Sequence, residues 1–150
     1  MTAALITADF VDLDLPSDDR RTAVRSLAER LEKAGRVTDL ERFLADIEAR
    51  EAQMATGLEG GIGIPHCRSA AVTEPTLAFG RSTTGVDFGA EDGPATLVFM
   101  IAAPEGGDTD HMTVLAALAR RLVRKAFKDE LNGATDAGAV ADYIQKEVAP

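Results

Sequence analysis

The chain has 150 residues, of which 45% are hydrophobic and 27% are charged, and its formal net charge is −9. A domain of this length buries about 68–70% of the surface that its unfolded chain exposes, so we expect a single domain over residues 1–150. The acidic balance argues against a nucleic-acid partner, because a polyanion is bound by a basic face.

The sequence near the start and the cysteine content bear on the compartment. Residues 1–9 lack the basic segment and the long apolar segment of a signal peptide. Cys67 is the only cysteine, so no disulfide can form within the chain, as is usual in a reducing compartment. No apolar run approaches the length of a membrane span. We therefore expect a cytoplasmic protein without direct membrane insertion.

A strand and two amphipathic helices are predicted in the first third of the chain. Apolar and acidic residues alternate over 11–15, which indicates a half-buried strand. Ser17 is a suitable N-cap for the first helix, and Gly35 is a suitable residue to end it. The second helix should begin at residues 38–41, which have the spacing of a capping box, and end near residues 50–52.

The middle of the chain predicts strands. Isoleucine and glycine alternate over residues 62–64, and Pro65 stiffens the end of this short strand. Residues 77–82 and 86–88 predict two further strands. The continuous apolar run over residues 96–103 is typical of a central strand that is covered on both faces.

The last third predicts helices, of which the longest should run from about Asp110 to Phe127 and the last should begin near Thr135. Strands that alternate with helices predict an α/β fold, a sheet with helices on both faces. In such sheets ligands gather where strands end and helices begin. His66 and His111, the two histidines, both occupy places of that kind.

The two histidines together offer phosphoryl chemistry. His66 is presented by a stiff, extended segment beside a glycine-rich loop, which we expect to offer free backbone N–H groups. This setting suits a nucleophile that carries an anionic group. His111 opens a helix, where unpaired N–H groups and the helix dipole attract a phosphoryl group. A neutral His66 with one unprotonated nitrogen could attack phosphorus, and His111 could then donate a hydrogen bond to a phosphoryl oxygen.

Phosphoryl transfer depends on positioning and on charge stabilisation, so an arginine should lie near the site. Arg50 and Arg68 are the local candidates. Ordinary structural roles remain open for all of these residues. His66 could be a polar residue at a strand end, His111 a helix residue without a role, and Arg50 a cation at the negative end of its helix.

Other kinds of site fit less well. The segment around Gly61 and Gly63 lacks the third glycine of a dinucleotide loop, and the sequence has no Walker lysine and no nucleophile elbow. A zinc hydrolase could use His66, Cys67 and His111, but adjacent residues of an extended segment point to opposite faces. Cys67 is more simply a small buried residue. We therefore expect neither a metal nor a cofactor.

A set of short motifs covers nearly the whole chain. They are Arg50-Glu51, Thr56-Gly57, Gly61-Ile62-Gly63-Ile64-Pro65-His66, Val86-Asp87-Phe88, Asp92-Gly93, Ala103-Pro104, His111-Met112 and Leu115-Ala116-Ala117-Leu118-Ala119. With these motifs the sequence resembles the fructose/mannitol-type enzyme IIA domain (EIIA type 2) of the bacterial phosphoenolpyruvate-dependent sugar phosphotransferase system. The Ile-Pro-His motif and the second histidine are specific as a pair.

The resemblance implies a fold, a function and partners. The fold is a mixed β-sheet flanked by helices, a three-layer α/β/α sandwich. His66 would be phosphorylated on Nε2 by phospho-HPr and would pass the phosphoryl group to a cysteine of enzyme IIB for fructose uptake and phosphorylation. Enzymes IIB and IIC could belong to the same polypeptide. His111 would be the second active-site histidine and Arg50 the arginine beside it. Some relatives are nitrogen-linked regulatory domains, which leaves phosphorylation-dependent partner binding as an alternative.

Two residues depart from the family pattern. Gly63 stands where many relatives have alanine, and we expect little effect because the position stays small. Glu59 stands where a small residue is usual. Its carboxylate would repel an incoming phosphoryl group unless it points to solvent.

Overall fold

The computed structural model describes residues 4–16, 19–106 and 110–149, except for the side chains of Asp110 and His111. The elements in these ranges, in chain order, are a short 3-10 turn (Ala8–Phe10), β1 (Val11–Asp12), α1 (Arg20–Lys33), α2 (Leu40–Gln53), β2 (Gly57–Leu58), β3 (Ile62–Gly63), β4 (His66–Ser69), β5 (Thr76–Val86), β6 (Ala95–Pro104), α3 (Asp110–Leu122), α4 (Lys125–Asn132) and α5 (Ala137–Val148).

The sheet is mixed and is built around β6. Strand β5 pairs antiparallel with one edge of β6, while β3 and then β4 pair parallel with the other edge. Strand β1 pairs parallel with β5 and β2 pairs antiparallel with β3, so the strand order is β1-β5-β6-β3-β2. Residues 97–103 of β6 are all buried, which confirms the prediction of a central strand covered on both faces.

Helices pack on the sheet as two groups. α1 and α2 contact each other and lie against β5 and β4, whereas α3 contacts α5 and β6. A row of rings joins the sheet to α4 and α5, with centroid separations of 5.1 Å, 6.3 Å and 5.6 Å between successive members Phe79, Phe99, Phe127 and Tyr143. The predicted α/β sandwich with a mixed, helix-flanked sheet is therefore confirmed.

Aspartates cap the first two helices. The Asp19 carboxylate accepts the N–H of Thr22 at the start of α1, while the predicted N-cap, Ser17, lies outside the described residues. Asp39 caps α2 by accepting the N–H of Arg42, one residue after Thr38, where the predicted capping box places the N-cap. Gly35 follows α1 with a φ of +80°, the conformation that makes glycine a suitable residue to end a helix.

The prediction of one helix from Asp110 to Phe127 is wrong, because α3 ends at Leu122 and Arg124 has extended backbone angles (φ −95°, ψ 122°) before α4 begins. The continuous pattern places Ala126 on the buried side. In the structure Ala126 is exposed and Phe127 is buried against Phe99 and Tyr143. The break between α3 and α4 therefore orients the Phe127 side chain toward the core.

The two strands predicted over residues 77–82 and 86–88 form a single strand, β5, which ends at Val86. Its pairing with β6 is irregular between Arg81 and Val86. The irregularity accounts for the gap in the apolar pattern that separates the two predicted strands. Phe88 lies beyond the strand and is buried, with 1% of its surface exposed.

Gly63 lies directly against the ring of Phe88, since a Cβ at this position would be 2.5 Å from Cδ2 of that ring. We expect Gly63→Ala to lower the free energy of unfolding by about 1–3 kcal/mol, because the enclosed ring has no room to move away. Chemical denaturation measures the change. The position therefore has no space for a Cβ unless the Phe88 ring shifts.

Gly133 provides the matched control for this substitution. Its φ is −92°, which alanine adopts easily, and a Cβ added to it would meet only the Asp129 carbonyl oxygen, at an ordinary 3.4 Å. We expect Gly133→Ala to leave stability unchanged or raise it by about 0.4–1 kcal/mol. Equal stability of the Gly63→Ala and native proteins would contradict the close packing against Phe88.

Candidate functional site

His66 is the first residue of β4 and is half-buried. Its Cα is paired with that of Ile101 on β6, and the carbonyl of Pro65 accepts the N–H of Ile101 at 3.0 Å. The sequence predicts that His66 leaves a strand, but it does not predict β4 itself. The backbone that carries the ring is therefore attached directly to the central strand of the sheet.

The hydrogen bond of the His66 ring determines which nitrogen is unprotonated in the neutral form. Nδ1 lies 2.7 Å from the carbonyl oxygen of Ile64. A carbonyl oxygen can only accept a hydrogen bond, so Nδ1 must carry the proton. Nε2 of the neutral ring is then unprotonated and has a lone pair available for attack on an electrophile.

Side chains of β4 alternate between the two faces of the sheet. The Ser69 hydroxyl donates to the Asp46 carboxylate of α2 at 2.6 Å, so Ser69 and Cys67 face α2. His66 and Arg68 consequently share the opposite face, where Arg68 is exposed. Of the two candidate arginines, Arg68 is thus the one that the strand places on the same face as His66.

Arg50 lies in the last turn of α2. One guanidinium nitrogen, Nη1, is 3.5 Å from the carbonyl oxygen of Met54, the C-cap residue, which is a favourable place for a cation. Helix α2 packs against β4, the strand that carries His66. Within the described residues no hydrogen bond joins Arg50 to His66, so a role for Arg50 in the site stays a prediction.

His111 is the second residue of α3, and its side chain lies outside what the structure describes. The approach of its ring to His66 is therefore still a prediction. The backbone gives the relation between the elements: α3 follows β6 along the chain, and β4 pairs in parallel with the last four residues of β6. The strand that carries His66 and the strand that leads to His111 are hydrogen-bonded neighbours.

The glycine-rich loop does not surround His66. Gly60 and Gly61 form the turn between β2 and β3 with φ values of +90° and +80°, which strongly favour glycine. The N–H of Gly60 donates to the Asp92 carboxylate at 2.9 Å. The expectation that this loop offers free N–H groups to an anion is therefore wrong for Gly60.

The same turn also lies at a distance from the His66 ring. The Gly61 carbonyl accepts the N–H of Thr96, whereas His66 is paired with Ile101, five residues further along β6. Five strand residues correspond to about 16 Å. Glu59 lies in this turn and is exposed, so solvent screens its carboxylate.

Cys67 is a buried, protonated thiol. Burial raises its pKa to about 12, and the negative charge of Asp46 acts in the same direction. The thiolate is the form that attacks electrophiles and binds metals, so Cys67 is unsuited to either role at neutral pH. Among the described side chains, no group of three His, Cys, Asp or Glu residues is arranged to hold a metal ion.

The raised pKa of Cys67 predicts a loss of stability in alkali. The folded protein holds the thiol proton more tightly than the unfolded chain, where the pKa is about 8.5. The resulting stability is complete below about pH 8.5 and is lost as the pH rises toward 12. At pH 10 the loss should be about 2 kcal/mol relative to pH 8, measured by urea unfolding.

Cys67→Ala is the control for this pH effect, because it removes the titrating group and leaves the other groups in place. The margin by which the native protein is more stable than Cys67→Ala should become smaller, or change sign, as the pH rises from 8 to 10. Iodoacetamide should also label the native protein slowly at pH 8 and rapidly after unfolding. Rapid labelling of the folded protein would contradict the assignment of a buried, protonated thiol.

The described helices include none that is both long enough and apolar enough to cross a membrane. The chain matches a protein family described as "Phosphoenolpyruvate-dependent sugar phosphotransferase system, EIIA 2" over residues 4–147. It is 38% identical over 141 residues to the PTS system fructose-specific EIIA component of Haloferax volcanii, and the match covers 93% of this chain and 92% of that protein.

A second relative is longer. The chain is 38% identical over 143 residues to the PTS system fructose-specific EIIABC component of Bacillus subtilis, a match that covers 95% of this chain but 22% of that protein. Among solved structures, the nitrogen regulatory protein IIA-Ntr from Neisseria meningitidis superimposes with a TM-score of 0.84 at 28% identity, covering 93% of this chain and 96% of that one. These matches and the fold show that the chain belongs to the EIIA type 2 family of the phosphoenolpyruvate-dependent sugar phosphotransferase system.

Proposed function

We propose that this chain is a phosphocarrier that takes a phosphoryl group from phospho-HPr onto Nε2 of His66 and passes it to a cysteine of enzyme IIB. The observation that supports this best is the hydrogen bond from Nδ1 to the Ile64 carbonyl, which leaves Nε2 of the neutral ring unprotonated. Residues 1–150 would then act as one EIIA domain, in the cytoplasm, with a phosphohistidine as its intermediate.

The same hydrogen bond supports the chemistry of both steps. The Nε2 lone pair forms the bond to phosphorus while the bond from phosphorus to the donor histidine of HPr breaks. The ring gains positive charge as this happens, and the Ile64 carbonyl oxygen stabilises that charge through the Nδ1 proton. In the second step the thiolate of enzyme IIB attacks phosphorus, and His66 leaves as the neutral ring with its Nδ1 proton in place.

Cations and hydrogen-bond donors would stabilise the transferred group. Arg68 shares the face of β4 with His66 and would approach the phosphoryl oxygens from there. His111, near the N-terminus of α3, would donate a hydrogen bond to one of them, and Arg50 would add charge from the end of α2. The transfer as written requires neither a metal nor a cofactor.

Two relatives support fructose as the sugar and enzyme IIB as the acceptor. The proteins from Haloferax and Bacillus are both named as fructose-specific, and the Bacillus protein is an EIIABC component. A regulatory role is the second candidate, in which phosphorylation controls the binding of a partner protein. This regulatory role is supported by the superposition on IIA-Ntr of Neisseria, which has a TM-score of 0.84.

Reconstitution tests the proposal. The protein is incubated with phosphoenolpyruvate, enzyme I and HPr, and its mass should increase by one phosphoryl group that is labile in acid and stable in alkali. Added fructose-type enzyme IIB should then remove the group. Uptake without transfer to enzyme IIB would favour the regulatory role, and an absence of uptake would overturn the phosphocarrier proposal.

A further inference from the structure

Glu51 is a buried carboxylate in an unfavourable place. It lies in the last turn of α2, where the helix dipole disfavours negative charge, and 8% of its surface is exposed. Its Oε2 accepts the N–H of Thr56 at 2.9 Å and its Oε1 accepts the hydroxyl of Thr56 at 2.8 Å. Neither bond belongs to the helix, so both serve the segment that follows it.

Thr56 connects Glu51 to His66 through further hydrogen bonds. Residues 54–56 belong to neither a helix nor a strand, and Glu51 binds both donors of Thr56. The carbonyl of Thr56 accepts the N–H of Ile64 at 3.2 Å, and the carbonyl of Ile64 accepts Nδ1–H of His66 at 2.7 Å. Glu51, Thr56, Ile64 and His66 thus form a hydrogen-bond relay, which runs from the helix to the ring.

We propose that Glu51 is a positioning residue for His66: through Thr56 it fixes the Ile64 carbonyl, and so holds the ring in the orientation and tautomer that leave Nε2 free. The inference rests on the proposed phosphocarrier function. A displacement of about 1 Å in a reacting group can lower a rate about 100-fold, so the orientation of one carbonyl matters.

The first experiment measures single-turnover phosphoryl uptake from phospho-HPr. We expect Glu51→Ala to lower the rate constant about tenfold or more. The concentration of phospho-HPr at half-saturation should be unchanged, since Glu51 is buried and offers almost no surface to the donor. Glu51→Gln keeps an acceptor oxygen for one of the two Thr56 donors and should recover part of the rate.

Asp136→Ala is the matched control. Its carboxylate caps α5 by accepting the N–H of Ala139 at 2.8 Å, and it takes no part in the relay to His66. The substitution removes a carboxylate that holds backbone, as Glu51→Ala does, and should lower stability while leaving the uptake rate at the native value. A general loss of stability would slow both variants alike.

The second experiment reads the ring itself and needs no phosphoryl donor. Two-bond nitrogen–proton correlation spectra of His66, recorded where the ring is neutral, should show the proton on Nδ1 in the native protein. In Glu51→Ala the share of the Nε2–H tautomer should increase. Thr56→Val keeps the side-chain volume and loses only the hydroxyl, so its share of the Nε2–H tautomer should also increase. Thr56→Ser keeps the hydroxyl and should give a spectrum close to the native one.

The two experiments separate the inference from the proposed function. Native spectra and native rates in Glu51→Ala and Thr56→Val would overturn the positioning role, as would equal slowing in Asp136→Ala. If Glu51→Ala does not fold, Thr56→Val and Glu51→Gln decide the matter. If the native protein takes up no phosphoryl group, the phosphocarrier proposal fails, while the tautomer measurement still tests the relay.

Discussion

His66→Ala is expected to abolish phosphoryl uptake completely, because the substitution removes the nitrogen that would bond to phosphorus. The measurement is the intact mass after incubation with phosphoenolpyruvate, enzyme I and HPr. The half-buried ring donates a hydrogen bond to the Ile64 carbonyl, and the variant that lacks this bond should still fold, which circular dichroism checks. A His66→Ala protein that still gains the phosphoryl mass would contradict the assignment.

The neighbouring residue supplies the control. Cys67→Ala changes the next side chain of β4, which faces α2 on the other side of the sheet. This variant should take up the phosphoryl group at the native rate. Phosphorus–nitrogen coupling in the phosphorylated native protein should place phosphorus on Nε2, because Nδ1 is occupied by its proton and the Ile64 carbonyl. Attachment at Nδ1 would contradict the tautomer that the structure assigns.

The fold follows from patterns that are local in the sequence. The apolar run at residues 96–103 predicts the central strand because a strand covered on both faces needs no polar alternation. Strand β4 has no such pattern, since His66 and Arg68 alternate with Cys67 and Ser69, of which one is polar. Its pairing with β6 is a long-range contact, which no local periodicity reports.

In the candidate site, too, some features have a local signal in the sequence and others do not. The Ile-Pro-His motif identifies His66, because an extended, proline-stiffened segment before a histidine is visible along the chain. The acceptor for Nδ1 is a backbone carbonyl and Glu51 reaches the ring through Thr56, so neither has a sequence signal of its own. The glycines at 60 and 61 do indicate a loop, but that loop precedes β3, whereas His66 follows it.

Arg81→Met should cause the largest loss of stability among these substitutions. Arg81 lies on β5, and its guanidinium joins the sheet to the end of α4. Its Nε donates to the carbonyl of Leu13 at 3.1 Å. Its Nη1 is shared among three further carbonyls, those of Leu131 at 3.0 Å, Asn132 at 3.2 Å and Ala134 at 2.7 Å. Leu131 and Asn132 end α4 and Ala134 follows it, a place where backbone carbonyls lack most of their intrahelical donors. The Leu131 carbonyl also accepts the N–H of Ala134, at 3.4 Å.

Methionine keeps the unbranched stem as far as the position of Nε and removes every donor. Charged hydrogen bonds contribute about 1.5–3 kcal/mol each, and water can replace part of this set, so we expect a loss of about 3 kcal/mol. For a domain of this size, such a loss lowers the melting temperature by about 10 °C, which calorimetry measures. Arg81→Lys has one ammonium in place of the planar guanidinium, so its melting temperature should lie between those of the native and Arg81→Met proteins.

The physical reason for so large an effect is the position of α4 in the core. The helix carries Phe127, whose ring stacks on Phe99 of the central strand, so a loosened α4 also weakens the row of rings. Arg25→Met is the control, because the ion pairs that the structure describes for Arg25, with Glu29 and Glu41, are exposed and contribute little. Equal melting temperatures for the Arg81→Met and Arg25→Met proteins would show that the end of α4 is held by its packing, and not by the Arg81 guanidinium.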